Sequence, residues 1–255
     1  MGTDEPRPQN GDETIQVGIL TEGKPTLAMV IAGLVLQETQ PLDVYIVDTA
    51  ESAVIRRDDV VFAMRLAFDR GVHCGYEHIK ERNRAFSVGR LTLLGELTGR
   101  LISFMDDDIV LDPNAVRNLH GWARQAGTFG FVSPVCKNWG EAESPLPGRP
   151  HYSPGGLIYQ DETVRDLLQK YYSTTTDVLD ARGSGERYWE KAFLSELFPA
   201  LGRECQVRSD CLSYHLDYHE RPLRYRIDDG IVQASVDRAR SMAASVEPIP
   251  PAPLP

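Results

Sequence analysis

No apolar stretch in the 255-residue sequence reaches the roughly 18–20 residues that a membrane-crossing helix needs. The N-terminus, MGTDEPRPQNGDET, carries acids where a signal peptide has a basic region and an apolar core. No integral membrane segment is therefore expected, and a cytoplasmic location is the reading. Cysteine is scarce, with 4 in the chain, and Cys74, Cys136, Cys205 and Cys211 form no CxxC pair. That spacing gives no disulfide framework, and the thiols read as reduced. Positive charge is in deficit: 27 Lys and Arg against 37 Asp and Glu leave a formal charge of −10. Nonspecific electrostatics thus oppose nucleic acid or anionic lipid as the main partner. No internal repeat is visible.

What the chain does have is ordinary globular material, 42% hydrophobic and 25% charged, enough for a full core as one large or two small domains. Residues 1–14 are polar with Pro, Gly and Asp, and SVEPIPPAPLP closes the chain with alternating proline. Both read as disordered tails, which leaves function between Ile15 and Gln233. The expected division is a tail over 1–14, an α/β half over 15–135, a second half of the same domain over 136–233, and a tail over 234–255.

Between the tails, QVGIL reads as a buried parallel strand broken by TEGKPT. Thr26 can cap a helix whose Leu27, Val30, Ile31 and Leu34 follow the i, i+3, i+4, i+7 spacing of a core-facing stripe. DVYIVD is a second strand ending in Asp48. Ser87 can cap a helix through Val88, Leu91 and Leu94 that stops at Gly99, and RLISFM is a third strand ending at Asp106. Asp112 and Pro113 start another helix. Strand and helix alternating over 15–135 imply a mostly parallel sheet covered on both faces, with ligands bound beyond the strands' carboxyl ends. That rule places TEGK, Asp48 and Asp106–Asp108 on one rim.

The rim holds the candidate site. Short carboxylates at i and i+2, as in ISFMDDDIVLDP, can share a hard divalent cation such as Mg²⁺ or Mn²⁺, whereas the plain alternative is a solvated turn. An EF-hand loop is excluded, because counting from Asp106 puts Leu111 and Arg117 where Gly and Glu belong. GILTEGKP matches a phosphate-binding loop up to Pro25, which stands where Ser or Thr should hold magnesium. The loop still lies at a first βα turn suited to a nucleotide, with Thr21 and Glu22 as candidates. Asp48 can cap its strand end or accept hydrogen bonds from a uracil imide or ribose hydroxyl. Arg82 and Arg84 read as a solvated face, but Arg90 lies in the first turn of the helix feeding the Asp-bearing strand. It can offer a planar fork to phosphate or to an aspartate.

The stretch VGILTEGKPTLAMVIAGLVLQETQPLDVYIVDTAES resembles the opening of family 2 glycosyltransferases, and VGRLTLLGELTGRLISFMDDDIVLDP is similar to that family's Arg, Thr-Gly and Asp-x-Asp block. The two blocks cover about half of the ordered chain. The resemblance implies a GT-A fold: an α/β, Rossmann-like, mostly parallel sheet flanked by helices, with a C-terminal acceptor-side region. By the same resemblance Asp106 contacts the donor's ribose or the metal, Asp108 binds the metal that bridges the diphosphate, and Asp107 shares in donor or metal binding. ARGSGERYWEKAFLSELFPALGRECQVRSDCLSYH is similar to the family's Glu-Asp, Gly and Tyr-His segment. Glu190 takes the Glu position, Lys191 stands where the family has Asp, and Glu186 is the reserve candidate for the catalytic base. His215 matches the terminal His and would complete the metal site as a neutral nitrogen ligand.

The expected activity is therefore metal-dependent transfer of a sugar from a nucleotide diphosphate donor, UDP-sugar favoured by the resemblance, to an acceptor hydroxyl with inversion. The acceptor would be a small molecule, a glycan or a glycolipid precursor, and the Pro- and Gly-rich stretch over 137–176 would form a loop above it. The alternatives are a retaining transferase on the same fold, a sugar nucleotidyltransferase, and a noncatalytic sugar-nucleotide-binding module.

Overall fold

The computed structural model describes residues 14–38, 42–80, 83–126, 128–138, 151–180, 187–216 and 229–246. Strand β1 (Ile15–Thr21) is buried along its whole length, as expected for a run of apolar residues covered on both sides. It lies between β2 (Leu42–Asp48) and β4 (Leu101–Asp106), parallel to both, in a register that sets Thr21 beside Asp48 and Leu20 beside Asp106. This pairing brings three strand ends that are distant in sequence to one rim.

A strand the sequence reading passed over, β3 (His73–His78), adds to the outer edge of β2. Its residues HCGYEH offer no apolar run, because an edge strand open to solvent needs none. Beyond β4, the sheet continues through β7 (Leu157–Tyr159), β6 (Phe129–Asn138), β10 (Glu204–His215) and β5 (Ile109–Leu111). β7 and β5 run against their neighbours, whereas β6 and β10 are parallel to each other, so the eight-stranded sheet is mixed and mostly parallel. This is the α/β architecture that the strand–helix alternation implies.

Helices cover both faces. Ile15, Val17 and Ile19 face one core with α1 (Leu27–Val35), α2 (Asp58–Asp69) and α4 (Ala115–Ala126). Ile102 and Phe104 face the other, beneath α3 (Ala85–Glu96), α5 (Glu162–Thr174), α6 (Glu190–Ala200) and α7 (Asp229–Ala244). No helix of the described residues is long and apolar enough to cross a membrane.

Three sequence expectations need correction. The stretch over 137–176 is not one long loop: β6 runs to Asn138, and β7 and the amphipathic helix α5 occupy its second half, with only 139–150 outside the described residues. The C-terminal segment does not begin a tail at 234, because α7 runs to Ala244 and buries Ala239, Met242 and Ala243 against the second core. The helix caps also differ. Thr26 makes no side-chain cap bond and instead donates its hydroxyl to the Asp107 carbonyl at 2.7 Å. Ser87 lies inside α3, which begins two residues earlier and is capped from afar: Asp180 accepts from the backbone N–H groups of Phe86 (2.8 Å) and Ser87 (3.3 Å) and from the Ser87 hydroxyl (2.6 Å). The expected tail over 1–14 lies outside the described residues except for Thr14.

Candidate active site

At the carboxyl ends of β1 and β4 opens a cleft of about 260 Å³. Its charged wall comes from Glu22 and Lys24 on the loop after β1, from Asp106, Asp107 and Asp108 after β4, and from His215 at the end of β10. Asp177, Glu190 and Lys191 close the opposite side, and Phe86, Leu179 and Trp189 supply an apolar flank. The backbone explains the convergence. β5 turns back directly after the triplet and pairs Ile109 with His215, while the Leu216 N–H donates to the Asp108 carbonyl at 2.8 Å.

The three adjacent aspartates face three different partners, which is how the chain tolerates them side by side. Asp106 accepts from Arg90 Nη2 at 2.9 Å and lies 3.9 Å from Lys191 Nζ. Asp107 turns toward the β1 loop, where its Oδ2 accepts from the Thr21 hydroxyl (2.6 Å) and the N–H groups of Glu22 (3.3 Å) and Lys24 (3.4 Å). Burial raises the Asp107 pKa, and the Thr21 hydrogen bond and the Lys24 charge offset that in part. Asp108 accepts from Lys24 Nζ and lies 3.0 Å from His215 Nε2 through the same oxygen. Burial opposes its charge, but the His215 contact and the Lys24 ammonium outweigh burial and hold the carboxyl well below the usual range.

Arg90 is the buried hub. It is 1% exposed, donates through Nε to Glu190 Oε1 at 3.0 Å and through Nη2 to Glu190 Oε2 at 3.3 Å, and packs its guanidinium over Phe86 and Phe104. Burial works against this cation, yet Glu190 and then Asp106 more than compensate and keep it protonated. Of the two partners that the sequence allowed for Arg90, phosphate or an acid, the fork takes the acids. Glu190, only 4% exposed, also accepts from the Tyr172 hydroxyl at 2.6 Å.

The remaining sequence candidates divide. Thr21 is buried and acts through Asp107 and through the Gly23 N–H, which donates to its hydroxyl at 2.9 Å. Glu22 reaches the cleft directly. Asp48 does not line the cleft. Its carboxylate is fully buried and accepts from the N–H groups of Ala50 (2.9 Å) and Val54 (2.7 Å) and the Tyr76 hydroxyl (2.7 Å), the strand-end capping alternative. Glu186 lies outside the described residues.

Two charged cleft residues are not among the sequence's site candidates. Lys24 stands on the expected rim within TEGK, and the fold pairs it with the triplet. Asp177, in the short strand β8 (Thr176–Asp177), accepts from the Glu190 N–H (2.8 Å) and the Leu179 N–H (3.0 Å). Burial first and the Glu190 charge second push its pKa up to about 8. A lone aspartate carries no pattern that could have signalled this.

A divalent ion shared by these side chains needs them to converge on one point. Asp106 turns to Arg90 and Lys191 whereas Asp107 and Asp108 both meet Lys24, and among the described residues no group of three or more His, Cys, Asp or Glu side chains is placed to hold a metal. One Asp108 oxygen, Oδ2, is already shared by the Lys24 ammonium and the His215 imidazole. The metal set Asp106, Asp108 and His215 does not fit as arranged.

No protein-family model and no curated protein sequence matches the chain. Solved structures do. The mannosyltransferase PcManGT from Pyrobaculum calidifontis, in complex with GDP-Man and Mn²⁺, is 15% identical with a TM-score of 0.58, over 91% of this chain and 73% of that one. Staphylococcus aureus TarS residues 1–349 in complex with UDP-GlcNAc is 11% identical with a TM-score of 0.54, over 91% and 73% respectively. Against a longer TarS chain the match, at 12% identity and a TM-score of 0.55, covers 81% of this chain and 38% of that one, so the chain spans well under half of its length. The sheet order, the helices on both faces and the cleft at the strand ends thus constitute a GT-A fold.

Proposed function

We propose that the protein transfers a sugar from a nucleotide diphosphate donor, UDP-sugar in the first instance, to an acceptor hydroxyl. The observation that carries this reading is the cleft itself: an acid-rich wall at the switch of a parallel sheet, with Lys24 and Lys191 on the rim and an apolar flank of Phe86, Leu179 and Trp189. A sugar offers C–H faces to aromatic rings and hydroxyls to carboxylates, whereas a diphosphate needs the cations. That structures with GDP-Man and with UDP-GlcNAc share the fold supports the choice of donor class.

In the proposed reaction the acceptor oxygen attacks the anomeric carbon, and the bond from that carbon to the β-phosphate oxygen breaks with its electron pair. Charge that develops on the leaving diphosphate is met by Lys24 and Lys191. Glu190 takes the proton of the attacking hydroxyl, with Oε2 the less engaged of its two oxygens. Arg90 and Tyr172 fix that carboxylate on the cleft wall. Direct displacement inverts the anomeric centre.

One observation favours a second reading. Glu190 is gripped by Arg90 and Tyr172, and its neighbour Lys191 offers no carboxylate in its place, so a retaining route that needs no such base stays in contention. Anomer-resolved NMR of the product distinguishes the two. The direct test of the first is Glu190→Gln, which should keep donor binding and lower turnover by about 10²–10⁴-fold. Full activity in Glu190→Gln contradicts the assignment of the base, and pyrophosphate among the products would point to nucleotidyl transfer instead.

A further inference from the structure

The disagreement between the expected metal and the observed side chains has a positive content, which rests on the donor reading above. We infer that Lys24 is the resident counter-cation of the aspartate triplet, and that this site receives the donor's diphosphate on Lys24 without a divalent ion.

Three observations converge. First, Lys24 Nζ is hydrogen-bonded to Asp108 Oδ2 and lies 3.7 Å from Asp107 Oδ1, so an ammonium already holds the Asp108 carboxylate that a metal would need. Second, the loop is built to hold it there. Gly23 adopts φ +94, a left-handed turn that side chains disfavour, and the Arg57 guanidinium donates to the carbonyls of Gly23 (3.2 Å), Lys24 (2.7 Å) and Pro25 (3.1 Å). The Lys24 N–H itself donates to Asp107. A lysine that merely drifted into the cleft would need none of these restraints.

Third, much of the triplet's charge is already met. Asp106, Asp107, Asp108 and Glu190 bring four carboxylates, with Glu22 and Asp177 also on the cleft wall, while Arg90, Lys24 and Lys191 bring three cations within ion-pair or hydrogen-bond distance of the first four, and His215 touches Asp108. A divalent ion entering this cluster would have to displace Lys24 or share its carboxylates with it. An ammonium has three donors, so Lys24, whose side chain is 21% exposed on the cleft wall, can bridge Asp108 and a phosphate oxygen together.

The test is calorimetric titration of the full chain with UDP and with GDP, once in EDTA and once in excess Mn²⁺, for the unaltered protein, Lys24→Ala and Lys24→Arg. Circular dichroism confirms that each variant is folded. The unaltered protein should bind its preferred nucleotide with Kd values within about threefold of each other in the two conditions. Lys24→Ala should bind at least tenfold more weakly in EDTA, a loss of about 1.4 kcal/mol, and should regain affinity with Mn²⁺, which can then enter the vacated position. Lys24→Arg should retain most of the metal-free affinity. A tenfold or greater loss of binding by the unaltered protein in EDTA overturns the inference, as does a Lys24→Ala variant that binds normally without metal. Failure to bind either nucleotide in either condition strikes at the donor reading itself, a distinct outcome.

Discussion

Removing the Arg90 cation while keeping its volume is the sharpest probe of the buried network, and Arg90→Met does this. The guanidinium is 1% exposed, and its loss leaves Glu190, 4% exposed, with the Tyr172 hydroxyl and no positive charge in contact. Breaking a buried ion pair from one side costs about 3–5 kcal/mol, because the remaining charge stays desolvated. For a domain whose total stability is of the order of 5–15 kcal/mol, that is a large share. With about 2–4 °C lost per kcal/mol at this size, the melting temperature should fall by roughly 6–20 °C. Asp106, whose side chain is 27% exposed, loses the same partner but keeps water, so it adds little. The double variant Arg90→Met with Glu190→Gln removes the stranded charge and should recover about 1–3 kcal/mol relative to the sum of the single changes. Urea unfolding followed by circular dichroism reads all three. A cost below about 1 kcal/mol for Arg90→Met, or a double variant additive within about 0.5 kcal/mol, refutes the buried hub.

Other positions give further checks. Burial and the Glu190 charge raise the folded pKa of Asp177 to about 8 from the ordinary 3.8, so the unfolded chain releases this proton first. The contribution of Asp177 to stability therefore falls as pH rises between those values, and the drop in melting temperature from pH 5 to pH 8 should shrink in Asp177→Asn; an unchanged drop contradicts the assignment. Asp180→Ala strips α3 of its distant cap and leaves the Phe86 and Ser87 N–H groups without their acceptor, which should cost about 1–3 kcal/mol in urea unfolding. Gly23→Ala forces a side chain into φ +94 with its Cβ 3.0 Å from that of Ala50, so about 1–2 kcal/mol of stability should be lost, with nucleotide affinity falling as the Lys24 loop shifts.

How much of this was legible in the sequence depends on whether the signal was local. β1, β2 and β4 are legible as apolar runs, and the parallel-sheet rule places their ends on one rim. β3 is not, because HCGYEH at an exposed edge has neither an apolar run nor strict alternation. The capping of α3 was misread at Ser87 because the capping carboxylate, Asp180, comes from more than 90 residues away. Lys24 is legible on the same rim as the triplet, within TEGK, but its pairing with Asp108 crosses 84 residues and depends on β1 and β4 being neighbours. Glu190 was found through the resemblance, but Arg90's hold on it spans 100 residues and no spacing rule encodes it. Asp48 shows the opposite error: its position at a strand end was read correctly, yet its oxygens are spent on its own turn and on Tyr76.

The central claim is that this cleft handles a sugar whose leaving group is a nucleoside diphosphate. Chromatographic analysis of nucleotide released from a panel of UDP- and GDP-sugars, with and without candidate acceptors, tests it most directly. Nucleoside diphosphate is expected from one donor, matched one to one by glycosylated acceptor and reduced at least about 100-fold in Glu190→Gln. Release of nucleoside monophosphate or pyrophosphate, or intact donors after exhaustive incubation, would contradict it.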